Sequence, residues 1–567
     1  MAGISIMVEA AHAPRQTWCG TQSYRTQSND MAKSSAAKSR PPARRAGGGK
    51  EARNSSDALL ADLKQRLADI HDLDAAAAVL GWDEATYMPA GGATARGRQT
   101  ALIRRLAHER FADAAIGRLI DRLEPRLDAL SPDDAALIRV VRRDYDKVIK
   151  VPAAYVARAN EHASACYNAW TRARPANDFA AMVPLLERTL EFSREYAAFF
   201  APFDSIADPM IDDADPGMTA ATVRALFDAL RRELVPLVKA VCAQPPADDG
   251  CLRASFDEVA QIEFAVMVAK RIGYDFERGR LDKTHHPFCT KFSAGDVRIT
   301  TRVQKNDLGD ALFSTLHEAG HAIYEQGVDQ VYAGTPLGSG TSAGVHESQS
   351  RLWENVVARS LPFWTHFYPA LQATFPDQLA AVPLAAFHSA INKVVPSLIR
   401  TDADEVTYNL HVMLRFDLEL DLLDGRLAVK DLPEAWRAGM QAALGITPPD
   451  DRDGCLQDVH WYGGRIGGAF QSYTIGNVLS AQFFAAAAAA HPGIFDDMAA
   501  GKFTALHAWL TDNIYRHGRA RTPDEIMATA TGGAMTVAPY LAYLREKYLD
   551  TGGGPNEHRV RSGGGAA

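Results

Sequence analysis

The stretch Ser314–Gly327, STLHEAGHAIYEQG, decides how the rest of the chain is read. It contains the pattern H-E-x-x-H at His317, Glu318 and His321. On a helix, positions i and i+4 share a face, so both imidazoles can reach one ion. Glu318 stands beside a ligand, where its carboxylate can take a proton from an attacking water. Leu316, Ala319, Ala322 and Ile323 are apolar, as a buried helix requires, and burial strengthens the field of an ion. With 17 histidines in 567 residues, a chance match has odds on the order of a few per cent, so the motif needs support from elsewhere. The bland alternative is a pair of core histidines satisfied by their neighbours.

A catalytic zinc site uses three protein ligands and keeps one position open. No third histidine follows in the H-E-x-x-H-x-x-G-x-x-H pattern, because position 327 is glycine. The third donor is therefore expected to be a carboxylate: Glu325, Asp329, Glu347 or Glu354. Glu325 shares the helix of the histidines and is poorly placed to complete a tetrahedron. Glu347 lies in VHESQSRLWENVVARSL, which reads as the start of another helix, after a Gly- and Ser-rich loop that can turn the chain back. Glu347 is favoured over its rival role as a plain helix-start carboxylate.

The bulk composition restricts the alternatives. Hydrophobic residues make up 47% of the chain, enough for a large core. The net charge of -8 supplies no global reason to bind nucleic acid or an anionic membrane. No apolar run is long enough to span a bilayer, and no secretory signal is read. Six scattered cysteines without a C-x-x-C pair suit a reducing compartment and leave histidine and carboxylate as the metal donors. A cytoplasmic protein is expected.

Residues 1–56 are rich in Ser, Ala, Gly and Arg without periodicity and are expected to be disordered, as are residues 551–567. The segment Met31–Arg45 is basic and free of acids like a transit peptide, but it lacks an amphipathic pattern, and Met31 is a second candidate start. Between the tails there is no long linker and no repeat, so residues 57–550 read as one unit. Helical spacing recurs over Leu59–Leu80, Ala135–Val148, Phe179–Phe200, Thr219–Cys242 and Phe256–Ile272. Ser131-Pro132 and Thr522-Pro523 read as helix starts, and the alanine run Ala485–Ala490 as a helix interior. The best strand candidates lie between Phe288 and Val303, just before the H-E-x-x-H helix, where an edge could run along a peptide backbone or form a structural hairpin.

Several motifs carry a wider resemblance. WDEATYMP at Trp82–Pro89, HPF at His286–Phe288, DVRIT at Asp296–Thr300, HEAGH at His317–His321, HESQ at His346–Gln349, IRTDAD at Ile399–Asp404 and GCLQDVHW at Gly454–Trp461 occur in that order. In these the chain resembles the thermostable carboxypeptidase, or carboxypeptidase Taq, family of zinc metallocarboxypeptidases over nearly all of residues 57–550. The resemblance implies a mostly α fold around a deep central groove, with a small β-sheet beside the zinc helix. It implies one zinc ion per subunit on His317, His321 and Glu347, with Glu318 catalytic. It also implies release of single residues from free peptide C-termini, and a homodimer. One segment departs from the family. Where members continue Gly-Tyr-Phe-Pro-Thr-Tyr, this chain has GGAFQSYTIG at Gly467–Gly476, which keeps Phe470 and Tyr473 but replaces an aromatic by Ala469 and the proline by Gln471. Substrate preference near this loop is the property most exposed to that change.

A C-terminal exopeptidase must recognise a carboxylate, for which the planar fork of arginine is suited. Arg400 is the first choice, supported by the resemblance, and Arg465 the second. An oxyanion needs a donor besides the metal, and His460 or Tyr473 could supply it, although His460 could equally pack beside Trp461. Ligand histidines need acceptors behind them, for which Asp402, Asp404 and Glu405 are candidates. His286, Asp296 and Arg298 receive no chemical role from their residue types. Cobalt or manganese could replace zinc, and broad specificity is expected. The rival readings are a zinc oligopeptidase cleaving within short peptides and a non-catalytic peptide-binding protein. No G-x-M-E-N segment points to an aminopeptidase.

Overall fold

Helix starts in this protein are chemical before they are architectural. Ser131 accepts the backbone N–H of Asp134 at 3.1 Å, and Pro132 opens the helix Pro132–Lys150 behind it. Thr522 and Glu525 form a capping box at the head of Pro523–Thr531. Thr219 and Asp257 cap Ala220–Cys242 and Glu258–Ile272, so four of the expected helical stretches begin within a few residues of their predicted starts. The computed structural model describes residues 48–549. The expected tails therefore lie outside the described residues, except that residues 48–56 belong to the helix Gly48–Thr86.

The alanine run Ala485–Ala490 is helical throughout, as expected. The helix Gln471–Ala490 ends on it. Pro492 explains the stop, because a residue before proline is pushed out of the α region. His491 accordingly has φ -131° and ψ 82°.

The fold is mostly helical, with one three-stranded sheet. Strands β1 (Leu281–Lys283), β2 (Cys289–Ser293) and β3 (Asp296–Thr301) are ordered β1-β3-β2, with β1 parallel and β2 antiparallel to β3. β2 and β3 fall inside the predicted strand region, while β1 lies upstream of it and is too short to show alternation. Val297 and Ile299 of β3 are fully buried, while Asp296 and Arg298 on the other face are half-buried. The sheet packs on the helix Leu308–Gly327, which carries the H-E-x-x-H motif. Above the sheet lies the end of the first helix. Arg298 pairs with Asp296 at 2.8 and 2.7 Å and is sandwiched between the rings of Trp82 and Phe292, at 4.4 and 4.8 Å. The motif residues of WDEATYMP and DVRIT thus meet in one structural joint.

No helix among the described residues is long and apolar enough to cross a membrane. The five described cysteines are all free.

One buried ion pair ties two distant parts of the fold. Arg519 donates to both oxygens of Asp144 at 2.8 Å, and Asp144 is only 5% exposed. Burial opposes ionisation of Asp144, but Arg519 outweighs it and holds the carboxyl below its ordinary value. Arg519→Met is expected to cost about 3 kcal/mol by stranding that carboxylate, read as a lower midpoint in denaturant unfolding. The wild-type contribution is complete above the unfolded-state value of about 3.9 and is lost as pH falls through the lower folded value, so the difference between the two proteins should shrink in acid.

Candidate metal centre

Three helices meet at backbone contact to assemble the site. They are the Leu308–Gly327 helix, the helix Ala343–Arg351 that carries Glu347, and the helix Gln471–Ala490 that carries Tyr473. Asp307 caps the first by accepting from Gly309 N, and Ser342 caps the second by accepting from Val345 N. Glycine permits the closeness. A Cβ on Gly320 would lie 2.6 Å from the carbonyl oxygen of Gln349, and one on Gly476 would lie 2.5 Å from Cγ of Glu347. Neither position has room for a side chain.

His317, His321 and Glu347 offer donor atoms that all lie within 4.8 Å of one another. Glu347 Oε2 is 3.4 Å from His321 Nε2 and 3.8 Å from His317 Nε2. Ligand bonds of about 2.0–2.1 Å in a tetrahedron put donors about 3.3 Å apart, so the set fits a first-row divalent ion. Glu347 Oε1 is taken by Arg351 Nε at 2.7 Å, and Oε2, which accepts from Ser350 Oγ at 3.2 Å, keeps a second lone pair for the ion.

The groups behind the donors settle which nitrogens face the site. His317 Nδ1 is 2.8 Å from Glu354 Oε2, so it donates there and its Nε2 keeps a lone pair. His321 Nδ1 is 2.6 Å from His346 Nδ1, and His346 Nε2 is 2.9 Å from Glu325 Oε1. With Nε2 of His321 reserved for a metal, His321 donates to His346 and His346 donates to Glu325. Glu325 Oε2 in turn accepts from Lys291 of β2 at 2.8 Å. Burial opposes ionisation of Glu325, but Lys291 and His346 hold its carboxyl well below the usual range. These contacts correct the expected supporting shell. Asp404 caps its own loop by accepting from Val395, Val406 and Thr407, Glu405 binds Tyr543, Tyr548 and Lys547, and Asp402 is exposed. Asp329 caps the turn Gln330–Tyr332. Of the rejected third-ligand candidates, Glu354 and Glu325 stand behind the histidines instead. Glu354 lies in a π-helical continuation, Leu352–Val357, of the Glu347 helix.

Glu318 is 7% exposed, and burial, with Glu347 and Glu354 adding to it, pushes its carboxyl up to about 7 against the pull of His317. Burial lowers His321 to about 4. Burial also opposes charge on Glu347, but Arg351 and the histidines bring its carboxyl far down. Three carboxylates, Glu318, Glu347 and Glu354, stand against two guanidiniums: Arg351 donates to Glu347 and Glu354, and Arg359 lies 3.9 Å from Glu354. Their surplus of negative charge suits a dication.

A second cluster adjoins the first. The Arg351 guanidinium lies 4.6 Å over the ring of Tyr408, and the Tyr408 hydroxyl accepts from Arg400 Nη1 at 2.8 Å. Arg400 Nε donates to Asp458 Oδ2 at 2.6 Å, and buried Arg415 shares that oxygen at 3.0 Å. Asp458 Oδ1 is 2.5 Å from His460 Nδ1, and His460 Nε2 is 3.1 Å from the Tyr473 hydroxyl. Burial and the neighbouring Arg400 lower Arg415 to about 10, against the pull of Asp458, so it stays charged at neutral pH. Burial likewise opposes the charge of Asp458, which Arg400 and His460 hold far below the usual range. Two arginines on one aspartate leave a positive surplus. His286 of the HPF segment is exposed, yet enclosed enough that burial, then His460 and Arg400, lower its pKa. Arg465 joins a different group: it pairs with Asp213 at 3.1 Å and stacks 3.7 Å over Tyr196.

In the departing loop, Gln471 is fully buried and its amide reaches Asp215 at 3.4 Å, a contact that proline could not make. Sequence reasoning did not foresee Arg351, Asp458 or Asp215. Asp458 stands in the GCLQDVHW motif, two residues before His460, and Arg351 stands two residues past the HESQ motif, four after Glu347, where that spacing was the available signal.

A family model described as carboxypeptidase Taq (M32) metallopeptidase matches residues 62–548. Thermostable carboxypeptidase 1 of Thermus thermophilus is 39% identical over 483 residues, covering 83% of this chain and 94% of the relative. Carboxypeptidase 1 of Bacillus subtilis is 35% identical, with 86% and 97% covered. The crystal structure of an M32 carboxypeptidase from Deinococcus radiodurans is 52% identical with a TM-score of 0.85, covering 87% of this chain and 99% of that one.

The contact at Gly476 yields a test. Gly476→Ala should push Glu347 away from the two imidazoles and weaken metal binding about 10- to 100-fold, as read by competition with a chelator.

Proposed function

The chain belongs to the carboxypeptidase Taq (M32) metallopeptidase family and is a metallocarboxypeptidase, and we propose that it removes single residues of broad identity from free peptide C-termini using one zinc ion. The observation that carries the finer reading is the juxtaposition of two opposite charge surpluses. A negative cluster holds the metal donors, and a positive cluster stands one tyrosine away. A scissile bond at the first would set a terminal carboxylate towards the second.

Two imidazoles and one carboxylate suit zinc better than manganese. When bound, the metal supplies Lewis acidity, polarising the carbonyl and lowering the pKa of water. Glu318 is the base: its buried carboxylate, beside the ligand His317, takes a proton from the attacking water and delivers it to the leaving amine. Arg400 draws the substrate's terminal carboxylate by the uncompensated charge it shares with Arg415 over Asp458. Asp458 fixes His460 with its Nδ1 proton inward, so His460 Nε2 accepts from Tyr473 in the resting state. Tyr473 supports the oxyanion by swinging its hydroxyl proton from His460 to the developing charge. Arg465, committed to Asp213 and Tyr196, is left a packing role. The reading includes a homodimer in the cytoplasm, acting on peptides and not on nucleic acid or membranes.

Mass spectrometry of a peptide and its C-terminally amidated twin tests the reading. Stepwise shortening of the free acid alone, stopped by a chelator, is the expected outcome. Equal cleavage of the amidated peptide would replace the carboxypeptidase by an oligopeptidase. Glu318→Gln should keep its metal and lose turnover, and residual turnover near the wild-type rate would remove Glu318 as the base. Arg400→Gln should lower kcat/KM for free-acid peptides about 10- to 100-fold, the scale of one charged hydrogen bond, mainly through KM.

A further inference from the structure

We propose that Asp215 is a positioning residue that fixes the start of the Glu347 helix against the start of the Tyr473 helix, and so sets where Glu347 stands. Asp215 follows the short helix Asp208–Ala214 and is 2% exposed. Its Oδ1 accepts from Gly344 N at 2.7 Å, in the first turn of the Glu347 helix. Its Oδ2 accepts from Ser472 Oγ at 2.6 Å and Gln471 Nε2 at 3.4 Å, the first two residues of the Tyr473 helix. One carboxylate therefore spans two helix starts, with one oxygen for each.

The residue is not an ordinary ion pair. Its neighbours Asp212 and Asp213 turn to Arg143, Lys147 and Arg465, whereas Asp215 turns inward to neutral donors. Burial pushes its carboxyl up, while Ser472 and Gly344 pull it down. Two helix N-termini supply the partial positive charge that makes a carboxylate tolerable there. Filling the volume alone would need only an apolar side chain, so the carboxylate's distinct contribution is its pair of directed acceptors. The helices have no slack at this point, because a Cβ on Gly344 would lie 2.5 Å from Ile475 Cγ2. A shift at either start therefore moves the other, and Glu347 lies one turn beyond Gly344 on the shared contact.

Any catalytic consequence rests on the peptidase reading above, so the test uses two measurements that need no substrate. In zinc competition with a chelator, Asp215→Ala should raise the dissociation constant about 10- to 100-fold, as loss of a group supporting a metal ligand does. Asp144→Asn, which disturbs a buried aspartate paired with Arg519 and bonded to neither helix start, should leave that constant within about twofold. Ser472→Ala cuts a single tether and keeps the carboxylate. Under this proposal it speeds amide hydrogen exchange in residues 343–351 as well as in residues 471–478. Zinc affinity unchanged by Asp215→Ala, or weakened equally by Asp144→Asn, would overturn the proposal. If Asp215→Ala does not fold, the exchange pattern decides, and loosening confined to residues 471–478 overturns it. A wild-type chain that binds zinc but leaves free-acid peptides intact would remove the peptidase reading without touching these outcomes.

Discussion

Two imidazoles one helical turn apart cannot close a metal site, so the third donor must be delivered by another helix at backbone distance. Gly320 and Gly476 meet that demand from opposite sides, since each removes the side chain that would hold a neighbouring helix off. The Glu347 helix is clasped between the other two, and Arg351 fixes the rotation of the Glu347 carboxylate by occupying Oε1. The rest of the molecule can be read as support for this three-helix contact: the sheet behind the first helix, the π-helical turn that brings Glu354 to His317, and the loop before Gln471.

The two charge surpluses would be unfavourable apart. A buried cluster with excess negative charge and another with excess positive charge each carry a large desolvation cost. Placed side by side and linked through Tyr408, each lies in the favourable field of the other. Under the proposed function each would be completed by a different part of the same enzyme complex, the negative one by a cation and the positive one by the carboxylate end of a peptide. This explains why so many ionisable groups are buried in one region without unfolding it.

Much of this was legible in the sequence. Periodicity and cap chemistry located helices such as Pro132–Lys150 and Pro523–Thr531 closely, because a Ser or Thr followed by proline acts locally. The H-E-x-x-H spacing brought together His317 and His321, and Glu347 came from asking which carboxylate a following helix could return. The supporting groups were not legible for a physical reason. Which carboxylate stands behind which imidazole depends on helix rotation, and Glu354 reaches His317 through a turn with π geometry that no α-helical spacing anticipates. Strand β1 is three residues long and pairs in parallel with β3, so its reason to exist is entirely non-local. The helix ends at Ala490 because of the proline two residues beyond it, a signal that acts locally.

The row Lys291, Glu325, His346 and His321 has a sense of direction, since every proton in it points towards Glu325. A carboxylate at the sink can only accept, and that one-sidedness dictates each ring's tautomer upstream. Were a neutral amide to stand at 325 and offer its hydrogen to His346, the arrangement would reverse: His346 would hand its proton to His321, and His321 would carry its own on the nitrogen that faces the ion. A metal ligand would be extinguished from two hydrogen bonds away, with no atom displaced. The competence of this site is therefore as much a matter of proton bookkeeping as of shape.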